Sequence, residues 1–172
     1  MKKLSKILII IAIIILAGVS YYAYTQYNTL KTQEYIKTSK ELKDNDTSYL
    51  NQAAGLEKSG DYSGAIIAYQ KSKEYTTNAI NENNQALKYA SGVYKEYLDN
   101  DSLLLDKTAK LIEYKIYVNQ YYNNSLNSGQ EKVNPSVLSP YIDNLEKEIA
   151  SYKSNENNII NNNPEAFKFL NQ

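Results

Sequence analysis

Eighteen consecutive residues, Ile7 to Tyr24, carry no charge and read ILIIIAIIILAGVSYYAY. Nothing else in the chain constrains its folding so strongly. As a helix rising 1.5 Å per residue, this run extends about 27 Å, close to the ~30 Å hydrocarbon core of a bilayer. Lys2, Lys3 and Lys6 precede it, and positive charge on that flank favours an N-terminus held in the cytoplasm. Tyr21, Tyr22, Tyr24 and Tyr27 cluster at the far edge, where amphipathic rings prefer the headgroup level. A cleaved signal peptide is the rival reading, with Gly18-Val19-Ser20 as a poor small-residue cleavage site. The length of the run favours an uncleaved anchor. The expected organisation is a cytoplasmic tail at 1–6, a transmembrane anchor at 7–26, a helical extension or stalk at 27–46, and a helical domain at 47–172. The chain then contacts the lipid bilayer through Ile7–Tyr24. It is placed in the cell membrane as a single-pass protein, with its bulk outside the cytoplasm.

Composition narrows the chemistry available to that outer part. The 172 residues contain no His, Cys or Trp, and all 19 basic residues are Lys. There is thus no imidazole base, no thiolate nucleophile or metal ligand, and no bidentate guanidinium clamp. No enzyme activity, cofactor or metal is expected. The 19 basic residues balance 19 acidic ones, which argues against a nucleic-acid partner, since such proteins carry a basic surplus. With three lysines spent ahead of the apolar run, the remainder is mildly acidic. Asp44, Asp46 and Asp61 sit at turn-like positions and read as helix caps. Asp143, Glu146 and Glu148 read as a solvated helix face. Ser102, Ser136 and Ser139 precede helices, with no base placed beside them.

The outer part reads as helix throughout. Pro occurs only at 135, 140 and 164, and no stretch keeps the two-residue alternation of a half-buried strand. Residues 21–43 continue the membrane helix outward, either as a free stalk or laid against the domain. Asp44-Asn45-Asp46-Thr47 predicts a break, followed by a short helix at 47–58. Lys58-Ser59-Gly60-Asp61 predicts a turn, with Gly as C-cap and Asp61 as the next N-cap. A long helix is expected from Tyr62 to Leu98, bent or frayed at Gly92. Within it Ala65, Ser72, Ala79, Ala86 and Val93 recur every seven residues, a seam that admits a close neighbour. Asn100-Asp101-Ser102 should end that helix and cap one at 102–124. Asn123 to Pro135 reads as a polar loop. Ser139-Pro140 opens a helix at 140–160 with Tyr141, Ile142, Leu145, Ile149 and Tyr152 on one face. A last amphipathic turn follows Pro164 and docks Phe167 and Leu170. The fold class is all-α: a transmembrane helix, then an antiparallel bundle of three to four helices.

Residues 49–72 resemble a tetratricopeptide repeat hairpin. The resemblance rests on Gly60-Asp61-Tyr62, then Ala65-Ile66, Tyr69 and Ser72, with Tyr49, Ala53 and Leu56 on the first helix. It departs from the family at Gln52, lacks a closing Pro near Thr77, and has no second copy at the family period. The resemblance implies a helical hairpin and, by analogy, protein binding. The function expected is that of an accessory or scaffold subunit working by contact with a protein partner or by self-association. Tyr62, Ala65, Tyr69, Tyr94 and Tyr97 are the candidate contact residues. The alternative is a small-ligand sensor bundle whose 18 tyrosines line a pocket. Asn45, Asn100 and Asn123 each begin an Asn-x-Ser/Thr triplet in a predicted loop and are candidate glycan acceptors.

Overall fold

The computed structural model describes residues 2–124 and 133–171. Five α-helices follow in order: α1 (Lys2–Ser59), α2 (Tyr62–Leu87), α3 (Val93–Tyr122), α4 (Ser139–Asn162) and α5 (Pro164–Phe167). Two 3-10 turns, Pro135–Val137 and Lys168–Asn171, precede α4 and follow α5. No strand occurs among the described residues. From Tyr27 onward α1 pairs with α2, α2 with α3, and α3 with α4. The result is an antiparallel bundle of four long helices. From Ile9 to Tyr24 the same α1 stands clear of it, every side chain exposed, and is apolar and long enough to cross a membrane.

The expected break at Asp44–Thr47 does not occur: α1 is one helix of 58 residues. Its buried positions explain why. Thr32, Ile36, Ser39, Asp46 and Ala53 are all buried, and they alternate steps of four and three residues when Lys43 and Leu50 are included. That is the spacing of a helix packed along its length against a neighbour. Asp44 pairs with Lys40 at 2.9 Å, and Asn45 donates to the Glu41 carbonyl at 2.9 Å. Asp46 accepts from Ser72 Oγ on α2. Each polar residue therefore finds a partner within the helix or across the seam, and none needs to cap an end. Residues 27–46 are accordingly not a free stalk but one wall of the bundle.

The seven-residue repeat on α2 forms the buried seam facing α1. Ala65, Ser72, Ala79 and Ala86 have no exposed surface. They meet a matching repeat on α1, Thr32, Ser39, Asp46 and Ala53, running the other way. Ala53 packs with Ala65, Asp46 bonds to Ser72, and Ser39 Oγ donates to the Ala79 carbonyl at 3.4 Å. Small side chains on both helices let the backbones approach. Val93 falls outside the seam, because α2 stops at Leu87 and the chain reverses through Lys88–Gly92. Gly92 takes φ +55° there, a conformation that glycine adopts without a steric penalty. The expected helix from Tyr62 to Leu98 is thus two helices.

Asn100-Asp101-Ser102 likewise lies inside α3 rather than at a helix boundary. Asn100 donates to the Tyr152 carbonyl at 2.9 Å, and Ser102 to the Leu98 carbonyl at 2.9 Å. The α1–α2 turn is built as expected. Gly60 has φ +78°, and Asp61 Oδ1 accepts from the Gly64 amide at 2.9 Å. Pro140 lies in the first turn of α4. Tyr141 leaves the expected apolar face and is exposed, whereas Leu145 and Ile149 are buried. Phe167 is fully buried against Tyr94 and Tyr97, with ring centroids 5.5 and 5.2 Å away, and Leu170 packs beside it.

Candidate functional site

The heart of the bundle is charged. Lys43 Nζ on α1 lies 2.7 Å from Asp101 Oδ1 on α3 and 2.7 Å from Glu156 Oε1 on α4. The Tyr97 hydroxyl donates to the same Glu156 oxygen at 2.6 Å, and the ammonium lies 5.6 Å from the Tyr97 ring centre. The side chains of Lys43, Asp101 and Glu156 are 15%, 1% and 13% exposed. Burial works against the Lys43 charge, but Asp101, Tyr97 and Glu156 outweigh it and hold the ammonium above its usual range. Burial pushes the Asp101 carboxyl up, Lys43 pulls it back, and Glu156 pushes it up again; the net shift is upward. One cation thus serves two carboxylates, and Asp101 Oδ2 is buried with no hydrogen-bond partner. The cluster ties α1 to both α3 and α4. Lys43 and Glu156 also border an open hollow of about 230 Å³; the paired, largely buried charges read as a structural lock.

Beside the lock, a hollow of about 150 Å³ opens between α1, α3 and α4, walled by Leu50, Leu104, Leu105 and Ile149 with Lys43 and Lys153 at its edge. Asp46 borders it; burial raises this carboxyl, and the hydroxyls of Ser72 and Thr76 act against the rise. No tyrosine lines this hollow.

One group of tyrosines lies elsewhere. At the end of the bundle remote from the apolar run, Tyr62 stacks on Tyr122 with ring centres 5.3 Å apart, and Tyr121 meets Tyr122 edge-on at 5.8 Å. Below them lies a hollow of about 240 Å³, bordered by Glu57, Lys115, Asn119 and Ile142. Asn119 Nδ2 donates to Glu57 Oε1 at 2.5 Å and to the Lys115 carbonyl at 2.7 Å. Its Oδ1 is buried without a hydrogen-bond partner. Lys115 is loosely held, 3.9 Å from Glu57 and 3.8 Å from Glu146. Tyr122, on the border of the hollow, is 51% exposed, and at the same end of the bundle Val137 and Tyr141, just before and in the first turn of α4, are 55% and 60% exposed. Tyr117 pins the approach to α4, accepting from the Val133 amide at 2.6 Å. Tyrosines, with apolar bodies and polar tips, are among the side chains enriched at protein contact surfaces.

Of the five residues singled out from sequence, only Tyr62 lies on this face. Ala65 and Tyr69 are buried in the packing of α1, α2 and α3. Tyr97 belongs to the charged lock. Tyr94, at the opposite end, accepts from Gln33 at 2.6 Å and donates to the Ala166 carbonyl at 2.8 Å. In this fold those side chains are committed to the chain's own interior. The sequence places Tyr141 on the apolar face of the helix at 140–160, and nothing in the local spacing marks Tyr122 or Val137, which lies in the 3-10 turn before α4. The candidate glycan acceptors are also placed differently. Asn45 is exposed within α1 and Asn100 is buried within α3, so neither lies in a loop. Asn123 caps α3 and is exposed, and its triplet runs into Ser125, outside the described residues.

Comparison with protein-family models, curated proteins and solved structures found no match. The residues that resemble a tetratricopeptide hairpin serve here as the α1–α2 seam, and their first helix is the end of a 58-residue rod.

Proposed function

We propose that this protein is a membrane-rooted mount that presents a tyrosine-rich face to a protein partner as an accessory or scaffold subunit. The observation that carries the reading is the continuity of α1. One helix runs from the apolar, fully exposed segment to the far tip of the bundle. From Tyr27 to Ser59 it covers about 50 Å at 1.5 Å per residue. A segment rooted in a bilayer would therefore hold the bundle at a fixed angle, with the Tyr62–Tyr122 face at the tip. Sidedness follows the lysines ahead of the apolar run and puts the bundle outside the cytoplasm. The test is in-cell photo-crosslinking from a photoreactive residue at position 141, compared with one at Glu74, an exposed site midway along α2. A dominant adduct at stoichiometric yield from position 141 alone supports the reading. No adduct, or the same pattern from both sites, refutes the tip as the contact face.

A second reading, small-ligand binding, rests on the apolar hollow beside Lys43 and Lys153. Saturable thermal stabilisation by a small apolar carboxylate, lost on Ile149→Phe, would favour it over the first.

A further inference from the structure

The bundle begins where the apolar run ends. Tyr24 is the last residue of that run, and Tyr27, less than one turn later, already meets the ring of Tyr89, with centres 6.2 Å apart. Tyr89 also stacks on Tyr35 at 6.1 Å. It belongs to the α2–α3 turn, Lys88–Gly92, which reverses the chain at this end of the bundle. Three residues of helix rise about 4.5 Å. The polar layer on each side of the hydrocarbon core is about 5–8 Å deep. Tyr35 lies about 16.5 Å beyond Tyr24 along the helix, so the Tyr89 ring, in contact with both Tyr27 and Tyr35, stands roughly 10 Å out, and its turn sits at the outer edge of that layer if Ile7–Tyr24 fills the core. Its residues suit the place. Tyr27 and Tyr89 are amphipathic rings of the kind enriched at headgroup depth. Lys88 and Ser91 are exposed and can donate to phosphodiester oxygens.

We propose that the α2–α3 turn, Lys88–Gly92, is a lipid-contacting surface seated among the phosphodiester headgroups of the bilayer that α1 crosses. The inference rests on the membrane-crossing reading of α1. The charges around this end alternate in sign: Lys31 pairs with Glu34, Lys95 with Asp99 and Lys168 with Glu165. The contact is thus suited to zwitterionic headgroups and does not require anionic lipid.

The chain has no Trp, so a single introduced Trp reports its own depth. The full-length protein is reconstituted in phosphatidylcholine vesicles as Ser91→Trp, as Lys88→Trp, as Ser63→Trp at the far tip, and as Leu16→Trp within the run. Headgroup spin-labelled lipid, acyl-chain brominated lipid and aqueous iodide serve as quenchers. Headgroup label should quench the Ser91 and Lys88 variants severalfold more than the Ser63 variant, which iodide alone should reach. Leu16→Trp should be quenched by acyl-chain bromine. Equal, weak headgroup quenching at positions 91, 88 and 63, with Leu16→Trp deep, would overturn the proposal and leave the span intact. A Leu16→Trp variant open to iodide would overturn both.

Discussion

Lys43→Met removes the one cation from a buried set that otherwise holds two carboxylates and a phenol. Asp101 is 1% exposed and Glu156 13%, so neither regains full hydration when the ammonium is lost. Breaking such a pair from one side costs about 3–5 kcal/mol, because the partner charge is left uncompensated. In a domain of this size each kcal/mol moves Tm by roughly 2–4 °C, which gives an expected fall of about 6–20 °C. The loss should depend on pH. Asp101 already titrates above the ordinary carboxylate range, and without Lys43 it would titrate higher still. A carboxyl raised in the folded state contributes stability below its unfolded value and loses it as pH rises through its folded value. The deficit of Lys43→Met should therefore be largest near neutrality and shrink in mild acid. Adding Asp101→Asn and Glu156→Gln should recover much of it at neutral pH. The assay is thermal melting followed by circular dichroism on the detergent-solubilised full chain from pH 5 to 7.5. A loss under about 1 kcal/mol that does not change with pH is the signature of a solvated surface pair, and it would refute the buried-lock reasoning.

Three further outcomes follow from the packing. Ala79→Leu forces three extra carbons into a seam position with no exposed surface and should cost about 1–3 kcal/mol; an unchanged Tm would contradict the close α1–α2 approach. Asp46→Asn keeps an acceptor for Ser72 but removes a carboxyl that burial raises. The wild type should lose stability from Asp46 as pH rises toward neutral and the variant should not, which paired melts at pH 5 and 7.5 would show. Phe167→Ala empties a buried site between Tyr94 and Tyr97 and should cost about 3–5 kcal/mol. Chemical denaturation would detect it, and a loss below ~1 kcal/mol would mean that the turn after Pro164 is not docked.

Much of this architecture was legible in the sequence. The all-helical class, the Gly60-Asp61 turn, the seven-residue seam on α2 and the docking of Phe167 all rest on local spacing and turn chemistry. The sequence was misread wherever a polar side chain occupies a core position. Thr32, Ser39, Lys43 and Asp46 face the interior, yet each has the composition of a solvated surface or a cap. The partners of Asp46 and Lys43, which are Ser72, Asp101 and Glu156, are between 26 and 113 residues away, and no local pattern joins them. The same cause hid the continuity of α3 through Asn100-Asp101-Ser102. The reversal at Lys88–Gly92 was masked by Val93, which happens to keep the seven-residue frame across the turn. The tyrosine face at the tip depends on three helix ends converging, which spacing within one helix cannot show.

One unbroken helix joins the apolar segment to the tip of the bundle. The chain has no cysteine, so two can be added for spin labels without interference. Ser20 is exposed on the apolar side, and Gly55 lies near the tip, where an added Cβ meets nothing within 4 Å. The pair Ser20→Cys and Gly55→Cys, measured by pulsed electron double resonance in lipid nanodiscs, spans 35 helical rises. A narrow distribution near about 52 Å is expected for a continuous α1. A broad distribution centred well short of that distance would mean a hinge, with Asp44–Thr47 its natural place, and would contradict the rigid mount.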